Sequence, residues 1–94
     1  MTALSSFTPT GAASIVANGS SQNVLLPTAG TPTIAIVTNV GNDVAYLLLG
    51  TSNAVAVTPS TGLALLPGDS INLTIGSNTY LAAIGSTVTI AVGN

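Results

Sequence analysis

Asp43 and Asp69 are the only acidic side chains in this 94-residue chain, which contains no Lys, Arg, His or Cys. Each sits beside a turn sequence, Gly41-Asn42-Asp43 and Pro67-Gly68-Asp69. Paired carboxylates do acid–base work when they share a cleft that drives their proton affinities apart. Nothing in the pattern brings these two together, so each is expected to make an Asx-type hydrogen bond to nearby backbone N–H groups. A calcium site needs several carboxylates and carbonyls, and the spacing of a calcium-binding loop is missing. Ser and Thr abound, but no His or Lys is present to activate a hydroxyl. Thiolate, Schiff-base and near-neutral general-base chemistry are excluded by composition. The chain is expected not to be an enzyme and to hold no cofactor and no metal. Tyr46 and Tyr80 could stack on a sugar ring, but aromatic content is only 3%, and both are expected in a core or an interface. Two glycosylation sequons, Asn18-Gly19-Ser20 and Asn72-Leu73-Thr74, are chance matches in a chain this rich in Asn, Ser and Thr.

Charged residues make up 2% of the chain, against about 25% in an average soluble domain. The net charge is −2 with no basic patch, which excludes phosphate neutralisation and so nucleic acid and anionic membrane surfaces as partners. Stability must come from apolar burial and sheet ladders. Low net charge also favours self-association. The N-terminus, MTALSSFTPTGAAS, lacks the cationic and apolar regions of a signal peptide. The longest apolar run, Val44–Leu49, is too short to span a bilayer. A soluble protein made in the cytoplasm is expected.

The elements that must carry these residues are strands. Val, Ile and Thr dominate, punctuated by Gly, Pro and Asn, and no stretch keeps a capped helical period. The length fits one domain. Residues 1–11 are read as an extended N-terminal arm and residues 12–94 as a single antiparallel β-sandwich, jelly-roll or immunoglobulin-like, of about eight short strands. The candidate strands are Ala12–Ala17, Gln22–Leu26, Thr33–Val40, Val44–Gly50, Asn53–Thr58, Gly62–Leu66, Ser70–Ile75, Thr79–Ile84 and Ser86–Val92. Asn18-Gly19 after the first reads as a hairpin dipeptide.

The last third alternates cleanly. Ile71, Leu73 and Ile75 oppose Ser70, Asn72 and Thr74, and Val88, Ile90 and Val92 oppose Thr87 and Thr89, as strands with one buried face require. The middle does not alternate. Ile34 and Ile36 oppose Ala35 and Val37; Val44, Tyr46 and Leu48 oppose Ala45, Leu47 and Leu49. Either loops or the arm cover the second apolar face, or it is a subunit interface. The interface reading selects Tyr46, Leu47 and Leu49 for subunit packing, with Leu4 and Phe7 of the arm reaching a neighbour. On that reading, aspartate at Leu47 or Leu49 dissociates an oligomer and leaves the fold largely intact.

From Thr31 to Gly93 the chain runs TIAIVTNVGNDVAYLLLGTSNAVAV, then LALLPGDSINLTIGSN, then TYLAAIGSTVTIAVGN. The order is strand, N-x-G turn, strand ending in Gly, apolar strand, P-G turn, alternating strand and a final hairpin. Asn39, Gly41, Gly50, Pro67 and Gly68 carry the pattern. It resembles the small, β-rich head decoration (cement) proteins of tailed bacteriophages. The resemblance implies a virion structural protein that stabilises the phage head. It would bind the outside of the major capsid protein lattice as a homo-oligomer, a trimer before a dimer. The alternative is a phage fibre or tail module, or a secreted adhesin, that recognises a surface glycan. A surface-layer protein polymerising through edge strands is a third reading.

No side-chain type that titrates near neutrality is present. Assembly is therefore expected to be nearly indifferent to pH between about 5 and 8 and only weakly sensitive to salt. Sedimentation across that range tests it. A steep loss of assembly between about 0.1 and 0.5 M salt would point to a partner that supplies many charges.

Overall fold

The computed structural model describes residues 7–16 and 19–94. Their fold is all-β, with eight strands in two antiparallel sheets. The strands are β1 (Pro9–Ile15), β2 (Gln22–Leu25), β3 (Ile34–Asn39), β4 (Ala45–Gly50), β5 (Leu63–Leu65), β6 (Ser70–Thr74), β7 (Tyr80–Ile84) and β8 (Val88–Gly93). One sheet, here sheet I, has the order β1-β8-β3-β6; the other, sheet II, has β2-β7-β4-β5. Four antiparallel pairs, β1 with β8, β2 with β7, β3 with β6 and β4 with β5, are those of one long hairpin whose tip is the β4–β5 connection. Wrapping that hairpin brings β3 against β8 and β4 against β7. This is the jelly-roll order and not the immunoglobulin one.

Successive strands therefore alternate between sheets, with the sole exception of β4 and β5. β1 and β2 belong to different sheets, as do β7 and β8, so neither pair forms the expected hairpin; Asn18 of the expected hairpin dipeptide lies outside the described residues. β1 begins at Pro9, three residues ahead of the expected Ala12, because Pro9 and Gly11 already pair with Gly93 and Val92.

The core lies between the sheets. Ala35, Val37, Val88, Ile90 and Val92 of sheet I meet Ala45, Leu47, Leu65, Leu81 and Ala83 of sheet II. The clean alternation of β6 and β8 survives: Ile71 and Leu73 pack against this core while Ser70, Asn72 and Thr74 are exposed.

The expected strand Asn53–Thr58 does not form. Its donors are taken elsewhere: Val55 N–H donates to Ser52 O at 3.2 Å, Ala54 N–H to Ser52 Oγ at 3.2 Å, Val57 N–H to Ser21 Oγ at 3.0 Å and Thr58 N–H to Thr61 Oγ1 at 3.0 Å. With those N–H groups committed to turns and hydroxyls, no ladder is left to make. Residues 51–62 instead fold back over the outer face of sheet II as a strap. The Asn23 side chain holds it by donating to Asn53 O at 2.9 Å.

One polar side chain ties the opposite end together. Asn39 is 0% exposed, yet its amide is fully bonded. Nδ2 donates to Asp43 O at 2.7 Å and Leu65 O at 2.9 Å. Oδ1 accepts from Gly41 N–H at 3.0 Å and from Ser86 Oγ at 2.8 Å. That uses both donors and both lone pairs of the amide. The side-chain cap of this turn comes from Asn39, not from the expected aspartate; at Asp69 the turn bond is backbone, its N–H donating to Leu66 O at 3.0 Å. Asn39→Asp removes both donors and sets a carboxylate against two buried carbonyls. A loss of about 3–5 kcal/mol is expected, the cost of an uncompensated buried charge. It should be read in urea unfolding as a lower midpoint with unchanged slope.

Candidate interaction surface

The outer face of β4 was a candidate interface because both of its faces are apolar. The strap covers it. A Cβ at Gly50 would stand 2.5 Å from Val55 Cβ, and one at Gly62 would stand 2.5 Å from Val57 Cγ2 and 2.8 Å from Tyr46 Cβ. Glycine at these two points lets Val55 and Val57 lie flat on the sheet. Val57 is 1% exposed, and Ala82 on the same outer face is 0% exposed. Burying one Val fully is worth about 1.5–3 kcal/mol, enough to hold a strap that also makes its own hydrogen bonds. Of the two explanations offered by the sequence, a covering loop is the one found on sheet II.

The expected site residues separate accordingly. Leu47 points inward and is 2% exposed. It is a core residue and cannot serve as an outer contact. Leu49 shares its inward face and packs, partly buried, against the core. Tyr46 lies half-buried on the outer face beside the strap. Tyr80 is also half-buried, opposite Leu25. A Cβ at Gly93 would run into the Thr8 carbonyl and stand 2.9 Å from the Phe7 ring, next to a Thr8–Asn94 backbone pair, so Phe7 packs on its own domain. Leu4 lies outside the described residues. Among the described residues, the structure thus does not bring Phe7, Tyr46, Leu47 and Leu49 onto one surface.

The open surface is the outer face of sheet I. Its cross-strand rows follow from the register: Ser14, Thr89, Thr38 and Ser70 form one, and Ala12, Ala91, Ile36 and Asn72 the next. Thr38 and Ser70 share a hydroxyl hydrogen bond of 2.7 Å. Beyond the hydroxyl row, Val16 and Val40 flank Thr87; Val40 N–H donates to Thr87 O at 3.0 Å. These two valines are 70% and 55% exposed. No charged side chain stands in these rows. Both aspartates sit exposed in connections at the Val40 end. The face is a plane of short hydroxyl and alkyl groups ending in two solvent-facing valines. Such a surface binds by shape, dispersion and neutral hydrogen bonds.

Two apolar recesses accompany it. One, of about 240 Å³, opens between the sheets beside β5 and β6 and is lined by Leu47, Leu49, Leu63 and Leu73. Another, of about 230 Å³, lies at the end away from Asn39 among Leu26, Pro27, Pro32 and Ile75. Among the described residues no three His, Cys, Asp or Glu side chains cluster as metal ligands. Comparison with protein-family models, with curated proteins and with solved structures finds no match.

Reading the site from sequence missed Val16 and Val40. The available signal was phase: continuing the alternation of β1 and β3 puts both with Ser14 and Thr38, on the solvent side. Leu47→Asp is now expected to unfold the domain, because it buries a charge between the sheets. Val16→Asp is expected to change unfolding free energy by no more than about 0.5 kcal/mol. Thermal and urea unfolding of the two variants separates these outcomes.

Proposed function

We propose that this protein is a virion structural protein that decorates or cements a phage head, binding the outside of the major capsid protein lattice as a homo-oligomer. The observation that carries the reading is the charge-free outer face of sheet I with Val16 and Val40 exposed at its end. A chain with no cationic side chain and only two carboxylates grips a protein surface mainly through apolar and neutral hydrogen-bonded contact, and this face offers both. The jelly roll adds a fold-level analogy only, since shells, lectins and cupins all use it. The mechanism is linkage. A ligand that binds only the assembled shell stabilises it by its binding free energy, and repetition over a lattice multiplies weak single contacts.

The test is quantitative mass spectrometry of purified particles of the encoding phage. Chymotrypsin must replace trypsin, because the chain has no Lys or Arg. A copy number comparable to that of the major shell protein is expected, with Val40→Asp lowering occupancy at unchanged stability. A handful of copies per particle would favour the fibre or tail module, and absence from particles would overturn the virion reading.

A further inference from the structure

A jelly roll has four sheet edges, and three of these are guarded against pairing. β1 carries Pro9 and a register shift between Pro9 and Gly11. β2 is four residues long with Pro27 two positions beyond it, and its Asn23 is tied to the strap. β5 is three residues long, between Gly62 and Pro67. Prolines, irregular pairing and short length are the usual means of blunting an edge. β6, Ser70–Thr74, has none of them: it is five regular residues without Pro, Gly or charge, forming the outer strand of sheet I.

The ladder phase shows what β6 offers. Asn39 N–H donates to Asp69 O at 3.0 Å and Ile75 N–H to Thr33 O at 2.9 Å, so the odd-numbered residues turn their backbone groups towards β3. The intervening Ser70, Asn72 and Thr74 then aim N–H and C=O at the free edge. The strand sequence is also symmetric by side-chain type about Asn72: hydroxyl, branched aliphatic, amide, branched aliphatic, hydroxyl.

We infer that β6 is a self-association edge, pairing antiparallel with β6 of a second copy of this chain about a two-fold axis at Asn72. In that register Ser70 faces Thr74 of the partner subunit, Ile71 faces Leu73 of the partner subunit and Asn72 faces its own copy. The three edge-facing residues of each strand are all hydrogen-bonded pairs, and every cross-strand side-chain pair joins like with like. The charge-free edge has nothing to repel its copy. Sheet I becomes a continuous eight-stranded sheet, and the two Leu63–Leu73 recesses come to lie side by side across the axis. The two-fold contact is isologous and uses up the β6 edge, so it closes at a dimer instead of growing into a filament. The trimer expected from sequence would need a heterologous contact between two different patches instead of this self-complementary one.

A dimer in solution with no copies on particles would leave the self-association edge standing while the shell reading fell. Sedimentation equilibrium of the full chain over a wide concentration series is expected to show monomer and dimer. Asn72→Lys and Asn72→Asp each set like charges face to face at the axis. Each is expected to raise the dimer dissociation constant at least tenfold, about 1.4 kcal/mol, with unchanged circular dichroism. An equimolar mixture of the two variants is expected to recover a heterodimer. Thr89→Lys, on the exposed outer face of the same sheet, is expected to leave dimerisation unchanged. A wild-type chain that stays monomeric overturns the inference. So do an Asn72→Lys variant that dimerises like wild type, a mixture that fails to recover, and a Thr89→Lys variant that abolishes the dimer.

Discussion

The side-chain amide of Asn39 is where two connections of the jelly roll and strand β5 meet. It reaches Gly41 and Asp43 in the β3–β4 connection, Ser86 in the β7–β8 connection and the Leu65 carbonyl of β5. Its backbone completes the set, with Asn39 N–H donating to Asp69 O and Asn39 O accepting from Gly68 N–H at 2.9 Å. One residue thereby ties the two sheets together at the end where these three connections turn. A buried polar group is costly unless every donor and acceptor is met, and among the described residues no buried side-chain polar atom lacks a partner. An apolar residue of similar size would fill the space but leave the carbonyls of Asp43 and Leu65 unpaired.

The same constraint, polarity without charge, shapes the surface. Most domains keep their outer faces wet with Lys, Glu and Arg; here hydroxyls and amides do that work. Where a sheet face is too apolar to be left open, as on β4 and β7, the chain lays its own strap across it and holds it through Asn23 and Ser21. Where the face is mixed, as on sheet I, it stays open. Edges that a charged chain would guard with Lys are interrupted here by proline, irregular register or brevity, and β6 has none of these.

These two features bear on function together. A neutral face and a neutral edge are adhesive in a way that ionic strength does little to tune, because no long-range field steers or screens the contact. The role proposed above calls for contacts made once, in quantity, on a repeating surface. A regulated exchange of partners at a charged site would demand residues this chain does not have.

Strand positions were legible in the sequence wherever one face is wet. Around β6 and β8 the period-two alternation assigns both the element and its buried side, since a register slip would turn hydroxyls into the core. The two-sided apolar run of β4 was not legible in that way, and Leu47 looked as available for an interface as Tyr46. Segment 53–58 has the composition of a strand and became a strap, because its N–H groups found turns and hydroxyls before they found a neighbour. The pairing of β1 with β8 or β2 with β7 joins residues far apart in the chain and leaves no local trace. By itself the sequence determined an all-β, charge-poor chain with no Lys, Arg, His or Cys, since composition bounds chemistry whatever the fold. Only the tertiary structure decided the jelly-roll order, the inward turn of Leu47, the closing of Asn39's four bonds and the open edge of β6. Each of these depends on which distant strand becomes a neighbour, and burial and hydrogen-bond satisfaction over the whole domain make that choice.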